Sequence, residues 1–281
     1  MSVAFHVGVS TLDTSLMTRW GPDSHDSIEH TKGSWGNETM NIIAMIPARY
    51  ASTRLPGKPL LAETGKPMIQ HVVEAVRQAD VLDEIIVATD DTRIADAVES
   101  FGTRAVMTNE DCKSGTDRLA EAAEILGLDD EDIILNVQGD EPDMPPACLE
   151  LLVNLLESSG FEMATLATPM TSEMADDPNK VKVVLDRGGR AMYFSRAKIP
   201  FDRDNTGSAE YLLHLGIYGY RVGFLKRYNA MESTAAEKVE KLEQLRALEN
   251  GCSIIVGTVD YDGHGIDTPE DYAAFVARYN S

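Results

Sequence analysis

The stretch NIIAMIPARYASTRLPGKPL, residues 41–60, joins a short apolar run to a loop of cations and small residues. The run Ile42–Ile46 is continuous and ends at a proline, which is typical of a central strand buried on both faces. The loop that follows carries Arg49, Arg54 and Lys58 among alanine, serine, proline and glycine. Small residues let backbone N–H groups approach a ligand, and cations suit phosphate oxygens. The stretch therefore indicates a strand that leads into a cradle for a polyphosphate.

Two interpretations of this loop are open. An open α/β sheet binds ligands beyond the carboxyl ends of its strands, and this loop lies at such an end. The alternative is a surface loop whose cations are only solvated. Because the whole chain carries a net charge of −21, cations concentrated beside a buried strand favour the phosphate cradle.

The composition limits the partners of the chain. Its 281 residues, 43% of them hydrophobic, suffice for one large domain, or one with an appended lobe, around a sizeable core. The negative charge makes nucleic acid and anionic membranes poor partners, and no apolar stretch approaches the ~20 residues of a transmembrane helix. An anionic substrate therefore needs local cations or a metal. The chain has three cysteines and no Cys-x-x-Cys motif, so a disulfide framework and a zinc site are both disfavoured. This cysteine usage indicates a protein of the reducing cytoplasm.

Residues 1–40 differ from the rest of the chain. They contain both tryptophans and three of the six histidines, and they show no periodicity after about Ser10. We expect a disordered N-terminal extension, or a start codon placed too early ahead of Met40, before a domain that spans residues 41–281. A histidine-rich metal arm is the less favoured alternative because the histidines lack ligand spacing.

Predicted strands and helices alternate from residue 41 to about residue 157. This pattern is typical of a mixed, mostly parallel, doubly wound α/β sheet with helices on both faces. Shorter connections after Gly160 indicate a β-rich lobe at about residues 160–250 that covers the site. One charged helix is predicted over Ala235–Glu249 and a final helix over Pro269–Tyr279. The predicted strands after the first are Ile85–Thr89, Arg104–Met107, Ile133–Val137, Met163–Met170, Val181–Leu185, Ala191–Phe194, His214–Arg221 and Ile254–Val259.

Two aspartates that follow predicted strands are candidate metal ligands. Asp140 comes after Ile133–Val137 in a Gly-Asp-Glu-Pro turn, where a carboxylate is well placed to hold Mg²⁺ against nucleotide phosphates. The alternative is a turn without a ligand. Asp267 lies just before the last helix, and either Asp267 or Thr268 could cap that helix. A helix cap is the favoured interpretation of this segment, and Asp267 as a second metal ligand is the alternative.

The sequence SGTDR, residues 114–118, begins a predicted helix. The hydroxyls of Ser114 and Thr116 could read a base edge or a ribose. Arg118 in the first turn opposes the helix dipole, so an anionic group is expected beside it. The alternative is an ordinary N-cap with Arg118 paired to an acid such as Glu121. The sequence leaves both alternatives open.

Four further residues have an ordinary interpretation and a functional one. Arg196 could hold a carboxylate through two hydrogen bonds, and His214 could donate to sugar hydroxyls. The usual alternative is an exposed arginine and a core histidine. Glu243 and Gln244 lie on the predicted charged helix, where solvated side chains are the default.

Nine motifs in one order are similar to those of a single family. Over about residues 41–280 the chain resembles the 3-deoxy-manno-octulosonate cytidylyltransferases, which are CMP-Kdo synthetases, Kdo being 3-deoxy-D-manno-octulosonate. One such motif would be weak, but nine in order are specific. The motifs are IPARYASTRLPGKPL, ATDD, SGTDR, NVQGDEP, VKVVLD, YFSR, HLGIYGY, LEQLR and GIDTPED.

The resemblance implies a Rossmann-like nucleotidyltransferase fold of the GT-A-like type and a cytoplasmic homodimer. It also implies Mg²⁺-dependent transfer of CMP from CTP to Kdo, which gives CMP-Kdo and pyrophosphate for lipopolysaccharide biosynthesis. The anomeric C2 hydroxyl of Kdo would attack the α-phosphorus in line, so catalysis would consist of positioning and charge neutralisation. Two rivals are a related enzyme that uses a sialic acid or 8-amino Kdo, and a catalytically silent binding or scaffold protein.

The matching motifs carry family roles over to this chain. The residues expected to face the CTP phosphates are Ala48, Arg49, Thr53, Arg54 and Lys58. Those expected to hold cytosine and ribose are Thr89, Asp90, Ser114, Gly115 and Arg118. Those expected to contact Kdo are Gln138, Arg196, His214, Tyr218, Glu243 and Gln244. Asp140 and Asp267 are the expected Mg²⁺ ligands, and together with Lys58 and Arg54 they form the expected catalytic set.

Overall fold

The computed structural model describes residues 40–51, 55–261, 263 and 265–280, all within the unit Met40–Ser281. The predicted extension therefore lies outside the described residues, apart from Met40. The strands are β1 (Ile42–Ala48), β2 (Glu84–Thr89), β3 (Arg104–Met107), β4 (Ile133–Asn136), β5 (Met163–Met170), β6 (Lys182–Leu185), β7 (Ala191–Ser195), β8 (Tyr211–Arg221) and β9 (Ile255–Thr258). The helices are α1 (Met68–Val76), α2 (Thr92–Ser100), α3 (Gly115–Leu126), α4 (Pro146–Ser159), α5 (Val222–Asn229), α6 (Ala235–Glu240), α7 (Gln244–Glu249) and α8 (Pro269–Tyr279). No helix in these ranges is both long and apolar enough to cross a membrane.

The described strands form one nine-stranded sheet. Its order is β3-β2-β1-β4-β8-β5-β9, and β6 pairs with both β7 and β8. Strand β1 is parallel to β2 and β4, β2 to β3, and β5 to β9. Strand β8 runs antiparallel to β4, β5 and β6. The predicted mixed α/β sheet is confirmed, and the strands after Gly160 continue that same sheet.

Strand β1 packs against helices on both faces of the sheet. Ala44 and Ile46 join a cluster with α1, α2 and α4. Ile43 and Met45 join a second cluster with α3, α5 and α7. Successive side chains of a strand point to opposite faces, and these four are at most 2% exposed. The apolar run after Asn41 is therefore the central strand that the sequence predicts.

A glycine closes the loop that follows β1. Gly57 has a φ of 68°, in the left-handed region that glycine adopts at low cost. A Cβ atom at this position would lie 3.2 Å from the Tyr50 ring, and the Gly57 N–H donates to the Tyr50 carbonyl oxygen at 3.2 Å. Neither the conformation nor the space would suit a larger residue. The turn brings Lys58 back to the carboxyl end of β1, where it lines a cleft with Ala48.

A small third cluster fixes the segment that precedes α8. Leu55, Met68, Ile266, Tyr272 and Phe275 pack together and are all at most 8% exposed. This cluster joins the loop after β1 to the first turn of α1 and to one face of α8. Because Ile266 belongs to this cluster, the next residue, Asp267, is held beside the loop that follows β1.

The segment Ala235–Glu249 forms two helices, so the prediction of one helix is wrong. Helix α6 ends at Glu240 and α7 begins at Gln244, with Lys241 in the left-handed region at a φ of 56°. The Arg196 guanidinium donates to the carbonyl oxygens of Glu240, at 2.7 Å, and Lys241, at 3.5 Å. These carbonyl groups would accept intrahelical bonds in a continuous helix. The break buries Gln244, which is 5% exposed, whereas the sequence predicts a solvated side chain there by default.

Candidate active site

A main cleft of about 590 Å³ opens beyond the carboxyl ends of β1 and β4, against the first turn of α3. This is the position at which open α/β sheets bind ligands. It is also where the sequence places the phosphate cradle. The lining residues are Pro47, Ala48, Arg49, Ala51, Lys58, Pro59, Cys112, Ser114, Gly115, Arg118, Gln138, Gly139, Asp140 and Asp267.

Lys58 joins the two aspartates that the sequence pairs. Its Nζ donates to Asp140 Oδ2 at 2.7 Å and to the Ile266 carbonyl oxygen at 2.8 Å, and it lies 3.4 Å from Asp267 Oδ1. The Lys58 side chain is 14% exposed, so these contacts form in a partly desolvated place. One cation therefore bridges two carboxylates that are far apart in the sequence.

The cap of α8 falls on the residue after Asp267. Thr268 Oγ1 accepts from the Asp271 N–H at 3.1 Å, and the Asp271 carboxylate accepts from the Thr268 N–H at 2.9 Å. This reciprocal pair is a capping box. Thr268 is thus the N-cap, which confirms the predicted helix cap and decides between the two residues that could supply it. The Asp267 carboxylate instead approaches Lys58.

The two aspartates suit a magnesium ion that also takes substrate oxygens. The described residues contain no group of three or more histidine, cysteine, aspartate and glutamate side chains placed to hold a metal by themselves. Mg²⁺ commonly keeps several waters and binds one or two carboxylates plus substrate phosphates. Asp140 and Asp267, both reached by one ammonium group, match that smaller donor set. Beside them, burial and the charge of Asp140 raise the pKa of Glu141 to about 7, which limits the negative charge added next to the cleft.

The phosphate loop is partly described. Ala48 is buried, whereas Arg49 is exposed, and both line the main cleft. Two other residues of the predicted phosphate set, Thr53 and Arg54, lie outside the described residues. The described loop thus presents Arg49 and Lys58 to the same cleft.

The first turn of α3 is built as a cap and an ion pair. Ser114 Oγ accepts from the Asp117 N–H at 3.1 Å, which confirms the N-cap. Arg118 is 3% exposed and donates to Asp90 Oδ2 at 2.6 Å and to Thr108 Oγ1 at 2.5 Å. The acid that pairs with Arg118 is therefore Asp90, and the suggested partner Glu121 is wrong. The reason is that Arg118 turns inward, towards the carboxyl ends of β2 and β3.

Two residues predicted to hold the nucleoside stand behind the cleft wall. Thr89 is fully buried at the end of β2, and its Oγ1 accepts from the Asp91 N–H at 3.2 Å. Asp90 is not among the lining residues, but it accepts a hydrogen bond from Arg118, which lines the cleft. Ser114 and Gly115 line the cleft directly.

A second cavity of about 250 Å³ adjoins the main cleft and shares Gly115 and Gln138 with it. Gln138 Nε2 donates to the Gly216 carbonyl oxygen at 3.0 Å, which fixes its side chain between the two spaces. Desolvation raises the pKa of Tyr218, so this phenol stays protonated. The second cavity is lined by Gly115, Thr116, Asn136, Gln138, Met163, Gly216, Tyr218, Tyr220, Tyr228, Lys241, Leu242, Glu243 and Gln244. It therefore brings together Gln138, Tyr218, Glu243 and Gln244 of the predicted sugar set.

Arg196 lines neither space. Its guanidinium donates to three carbonyl oxygens, those of Glu240, Pro178 and Lys241, at 2.7, 3.1 and 3.5 Å. In this arrangement Arg196 orders the backbone that leads to Glu243. Any contact with a sugar carboxylate would require some of these bonds to be exchanged.

His214 also stands outside the cavity wall. Its Nε2 lies 3.1 Å from Thr165 Oγ1, and its ring meets the rings of Phe194 and Tyr218 at centroid distances of 4.9 and 5.4 Å. Burial lowers the pKa of His214 to about 3, so the imidazole is neutral near pH 7. Its ring supports Tyr218, which does line the second cavity.

Several lining residues escaped the sequence analysis. Tyr220 stacks on Tyr218 at a centroid distance of 5.7 Å, and Tyr228 lies on α5, a helix that the sequence analysis did not predict. Asn136 carried a usable signal because it is an amide within the apolar strand β4 and is only 2% exposed. Polar side chains in such places normally have a partner or a function.

Known proteins resemble this chain over most of its length. The sequence profile of the family described as cytidylyltransferase matches residues 43–254. A 3-deoxy-manno-octulosonate cytidylyltransferase of Syntrophobacter fumaroxidans is 53% identical over 240 residues, 84% of this chain and 96% of that protein. An 8-amino-3,8-dideoxy-manno-octulosonate cytidylyltransferase of Shewanella pealeana is 50% identical over 242 residues, 85% of this chain and 98% of that protein.

A solved structure extends the likeness to the fold. It is a CMP:2-keto-3-deoxy-manno-octonic acid synthetase in complex with CTP, and it is 42% identical with a TM-score of 0.81. The match covers 85% of this chain and 98% of that chain. The sheet, the loop after β1 and the paired aspartates thus occur in a chain that belongs to the cytidylyltransferase family.

Proposed function

We propose that this chain transfers CMP from CTP to Kdo and releases pyrophosphate. The observation that carries the proposal is Lys58 placed between Asp140 and Asp267 in a cleft at the carboxyl ends of the parallel strands. Family membership and the CTP bound to the similar solved structure support the nucleotide. The name of the Syntrophobacter fumaroxidans relative supports the sugar.

The phosphates of CTP suit the part of the main cleft that holds Arg49 and Lys58. Arg54, although outside the described residues, would add a third cation by its sequence position. These cations would stabilise the charge that develops on pyrophosphate as it leaves. Because the chain has a net charge of −21, an anionic nucleotide needs such a local group of cations in order to bind.

Magnesium would be held by Asp140 and Asp267 together with substrate oxygens. A bound Mg²⁺ would neutralise phosphate charge and lower the pKa of the attacking hydroxyl. Lys58 already lies against both carboxylates, so it would remain beside the phosphates when the carboxylates turn to the ion.

In the chemical step the C2 hydroxyl oxygen of Kdo bonds to the α-phosphorus of CTP. The bond from that phosphorus to the α,β-bridging oxygen breaks, pyrophosphate takes the electron pair, and the hydroxyl proton passes to solvent. No covalent enzyme intermediate is needed. The work of the chain is to orient the two substrates and to neutralise charge.

The second cavity suits the sugar, and α3 suits the nucleoside. Gln138 separates the two spaces, so a sugar with its C2 hydroxyl at the phosphates can extend into the second cavity. Arg196 and His214 would act from behind this wall, by ordering the backbone near Glu243 and by supporting Tyr218. The proposal further includes a cytoplasmic homodimer that works in lipopolysaccharide biosynthesis, as the family resemblance implies.

The test is pyrophosphate release from CTP with one acidic sugar at a time. Kdo, 8-amino Kdo and a sialic acid are compared with a sample without sugar, each with Mg²⁺ and with a chelator. We expect pyrophosphate release only when Kdo and Mg²⁺ are both present. Release with a sialic acid but not with Kdo would overturn the assignment of Kdo as the sugar substrate. Binding of CTP without turnover of any sugar would favour a catalytically silent binding protein.

A further inference from the structure

The turn between α6 and α7 begins with a residue in an unfavourable backbone conformation. Lys241 has a φ of 56° and a ψ of 47°, in the left-handed region that residues other than glycine adopt only at a cost. Among the described residues that are not glycine, only Asn205 shares a positive φ, and asparagine enters this region more readily than lysine does. Lys241 and the three residues that follow it line the second cavity. Contacts from elsewhere in the chain must therefore hold this turn if the cavity wall is to keep its shape.

The Glu240 carboxylate supplies two of these contacts. Its Oε1 accepts from Ser195 Oγ at 2.6 Å, and its Oε2 accepts from the Arg196 N–H at 2.9 Å. Ser195 is buried, and hydrogen bonds to an ionised group are stronger than those between neutral groups. Glu240 is the last residue of α6 and directly precedes Lys241. Its side chain thus ties the end of α6 to the end of β7.

The Arg196 side chain holds the same turn from the side of β7. Its guanidinium donates to the carbonyl oxygen of Glu240 at 2.7 Å and to that of Lys241 at 3.5 Å. Glu240 and Arg196 therefore each use a side chain to hold the backbone of the other residue. This reciprocal arrangement fixes the carbonyl groups of the last helical residue and of the left-handed residue.

A buried lysine of β6 fixes the strand end to which Glu240 is tied. Lys182 has no exposed surface, and its Nζ donates to the carbonyl oxygens of Arg196, Lys180 and Asp177 at 2.6, 2.6 and 3.0 Å. Three acceptors use all three donors of an ammonium group. Lys182 belongs to the motif VKVVLD, to which the proposed function gives no role. The end of β7 is therefore a firm anchor for the Glu240 carboxylate.

We propose that Glu240 is a positioning residue for the sugar, an inference that rests on the proposed function. Glu240 holds Lys241 in the left-handed conformation, so that Glu243 and Gln244 line the second cavity. Glu240 itself is not among the residues that line either space. Without its carboxylate the turn would relax in part of the molecules, and the apparent affinity for the sugar would fall in proportion to the fraction that keeps the turn. No residue of the range 240–244 lines the main cleft, so the nucleotide would be spared.

The first test compares Glu240→Ala and Glu240→Gln with the wild type in pyrophosphate release. Alanine keeps no acceptor, whereas glutamine keeps the size of the side chain and one acceptor oxygen. We expect Glu240→Ala to raise KM for Kdo about tenfold, as if about one molecule in ten kept the turn, and Glu240→Gln to raise it less. The KM for CTP should stay within about twofold, because CTP binds both arrangements of the turn equally.

Glu157→Ala, at an exposed position near the end of α4, is the control for the first test and should behave as the wild type. An unchanged KM for Kdo in Glu240→Ala would overturn the proposal. Equal rises in the KM values for Kdo and CTP would overturn it as well, since they would show a general loss of structure.

The second test asks whether the conformation of Lys241 is what Glu240 maintains. Lys241→Gly and Lys241→Ala are each combined with Glu240→Ala. Both substitutions remove the lysine side chain, but only glycine enters the left-handed region at low cost. We expect the glycine double variant to recover about threefold in KM for Kdo and the alanine double variant to recover nothing. Equal KM values for the two double variants would overturn this role of Glu240.

Amide hydrogen exchange in the absence of substrates separates this inference from the proposed function. We expect residues 241–245 to exchange about tenfold faster in Glu240→Ala than in the wild type, and α4 to exchange at an unchanged rate. Unchanged exchange at residues 241–245 overturns the inference even if the wild type turns over Kdo. Absence of turnover with every acidic sugar overturns the proposed function, and the exchange rates then still decide whether Glu240 holds the turn.

Discussion

The main cleft and the second cavity adjoin, yet they leave their polar groups in different states. In the main cleft the two most buried cations have partners from distant parts of the chain, Lys58 in Asp140 and Arg118 in Asp90. Beside the second cavity two amide atoms, Asn136 Oδ1 and Gln244 Nε2, have no partner within the described part of the chain. Buried charges are thus paired beside the cleft, whereas neutral amide atoms stay unpaired beside the cavity.

The difference follows from the cost of burying each kind of group. An unpaired buried charge costs several kcal/mol, whereas an unpaired amide costs about 1–3 kcal/mol. A cleft of charges can therefore exist empty only if its charges pair with one another. Neutral amides beside a cavity can stay unpaired at a smaller cost. A substrate that binds Lys58 or Arg118 must therefore exchange an existing partner.

The largest effect should come from the two aspartates of the cleft. Asp140→Asn and Asp267→Asn each keep the shape and remove an anion that would hold Mg²⁺. We expect pyrophosphate release to fall by at least about 100-fold in each, since charge stabilisation in a transition state is typically worth several kcal/mol. Melting temperatures should change little because Lys58 keeps one carboxylate in either variant.

The measurement is turnover against Mg²⁺ concentration, with thermal melts of the same samples. Asp80→Asn, at an exposed position, is the matched control and should behave as the wild type. Wild-type turnover and Mg²⁺ dependence in Asp267→Asn would show that Asp267 is not a metal ligand.

The buried ion pair of the cleft should dominate stability. Arg118→Met leaves Asp90, whose side chain is 18% exposed, without its cation. We expect the free energy of unfolding to fall by about 3 kcal/mol, because breaking a buried pair strands the other charge. The double variant Arg118→Met, Asp90→Leu should lose less than Arg118→Met alone. Urea unfolding of the three proteins measures both, and a loss below about 1 kcal/mol in Arg118→Met would contradict the contrast drawn between the two regions.

A smaller effect, confined to the sugar, should come from Arg196. Lysine cannot reproduce the fork of donors that reaches Glu240 and Pro178, and it offers a sugar carboxylate only a point charge. We expect Arg196→Lys to raise KM for Kdo about tenfold and to leave KM for CTP within about twofold. The exposed Arg187→Lys is the control. Equal rises in the KM values for Kdo and CTP would show that Arg196 does not act specifically on the binding of the sugar.

The effect that is smallest at neutral pH concerns His214, and it grows as the pH falls. The pKa of His214 is lowered to about 3 in the folded chain by burial, below its ordinary value of 6.5. As pH falls below 6.5 the unfolded chain takes up this proton and the folded chain does not, so stability is lost between pH 6.5 and 3. His214→Gln should flatten the loss by up to about 1.4 kcal/mol per pH unit, with no change of slope above pH 8. Parallel stability curves from pH 7 to 4 would show that His214 titrates normally.

Local sequence patterns were enough for the central strand, the Ser114 cap and the final helix. The apolar run at Ile42–Ile46 and the proline at the start of α8 are signals that neighbours in the chain supply. The break at Lys241 has no such signal, because it depends on bonds from Arg196, 45 residues away. A sequence read locally cannot anticipate a helix stopped by a distant guanidinium.

The site was anticipated best where charge and motif coincide. Lys58, Asp140 and Asp267 were singled out, and the structure brings them together. The partner of Arg118 was mistaken because its identity depends on how β2 and β3 align beside α3, not on helical spacing. Asn136 was overlooked because an amide inside an apolar strand gains meaning only when the cavity around it is known.

Lys58 has one more consequence, which concerns the order of events. A lysine seated between two carboxylates acts as a built-in counter-ion, so a divalent ion arriving alone must compete with it. A triphosphate that draws the ammonium to itself would free the carboxylates for the ion. By linkage, the ion would in turn favour the triphosphate by the same factor. The chain would then bind nucleotide and metal cooperatively, and it would bind each of them only weakly when the other is missing.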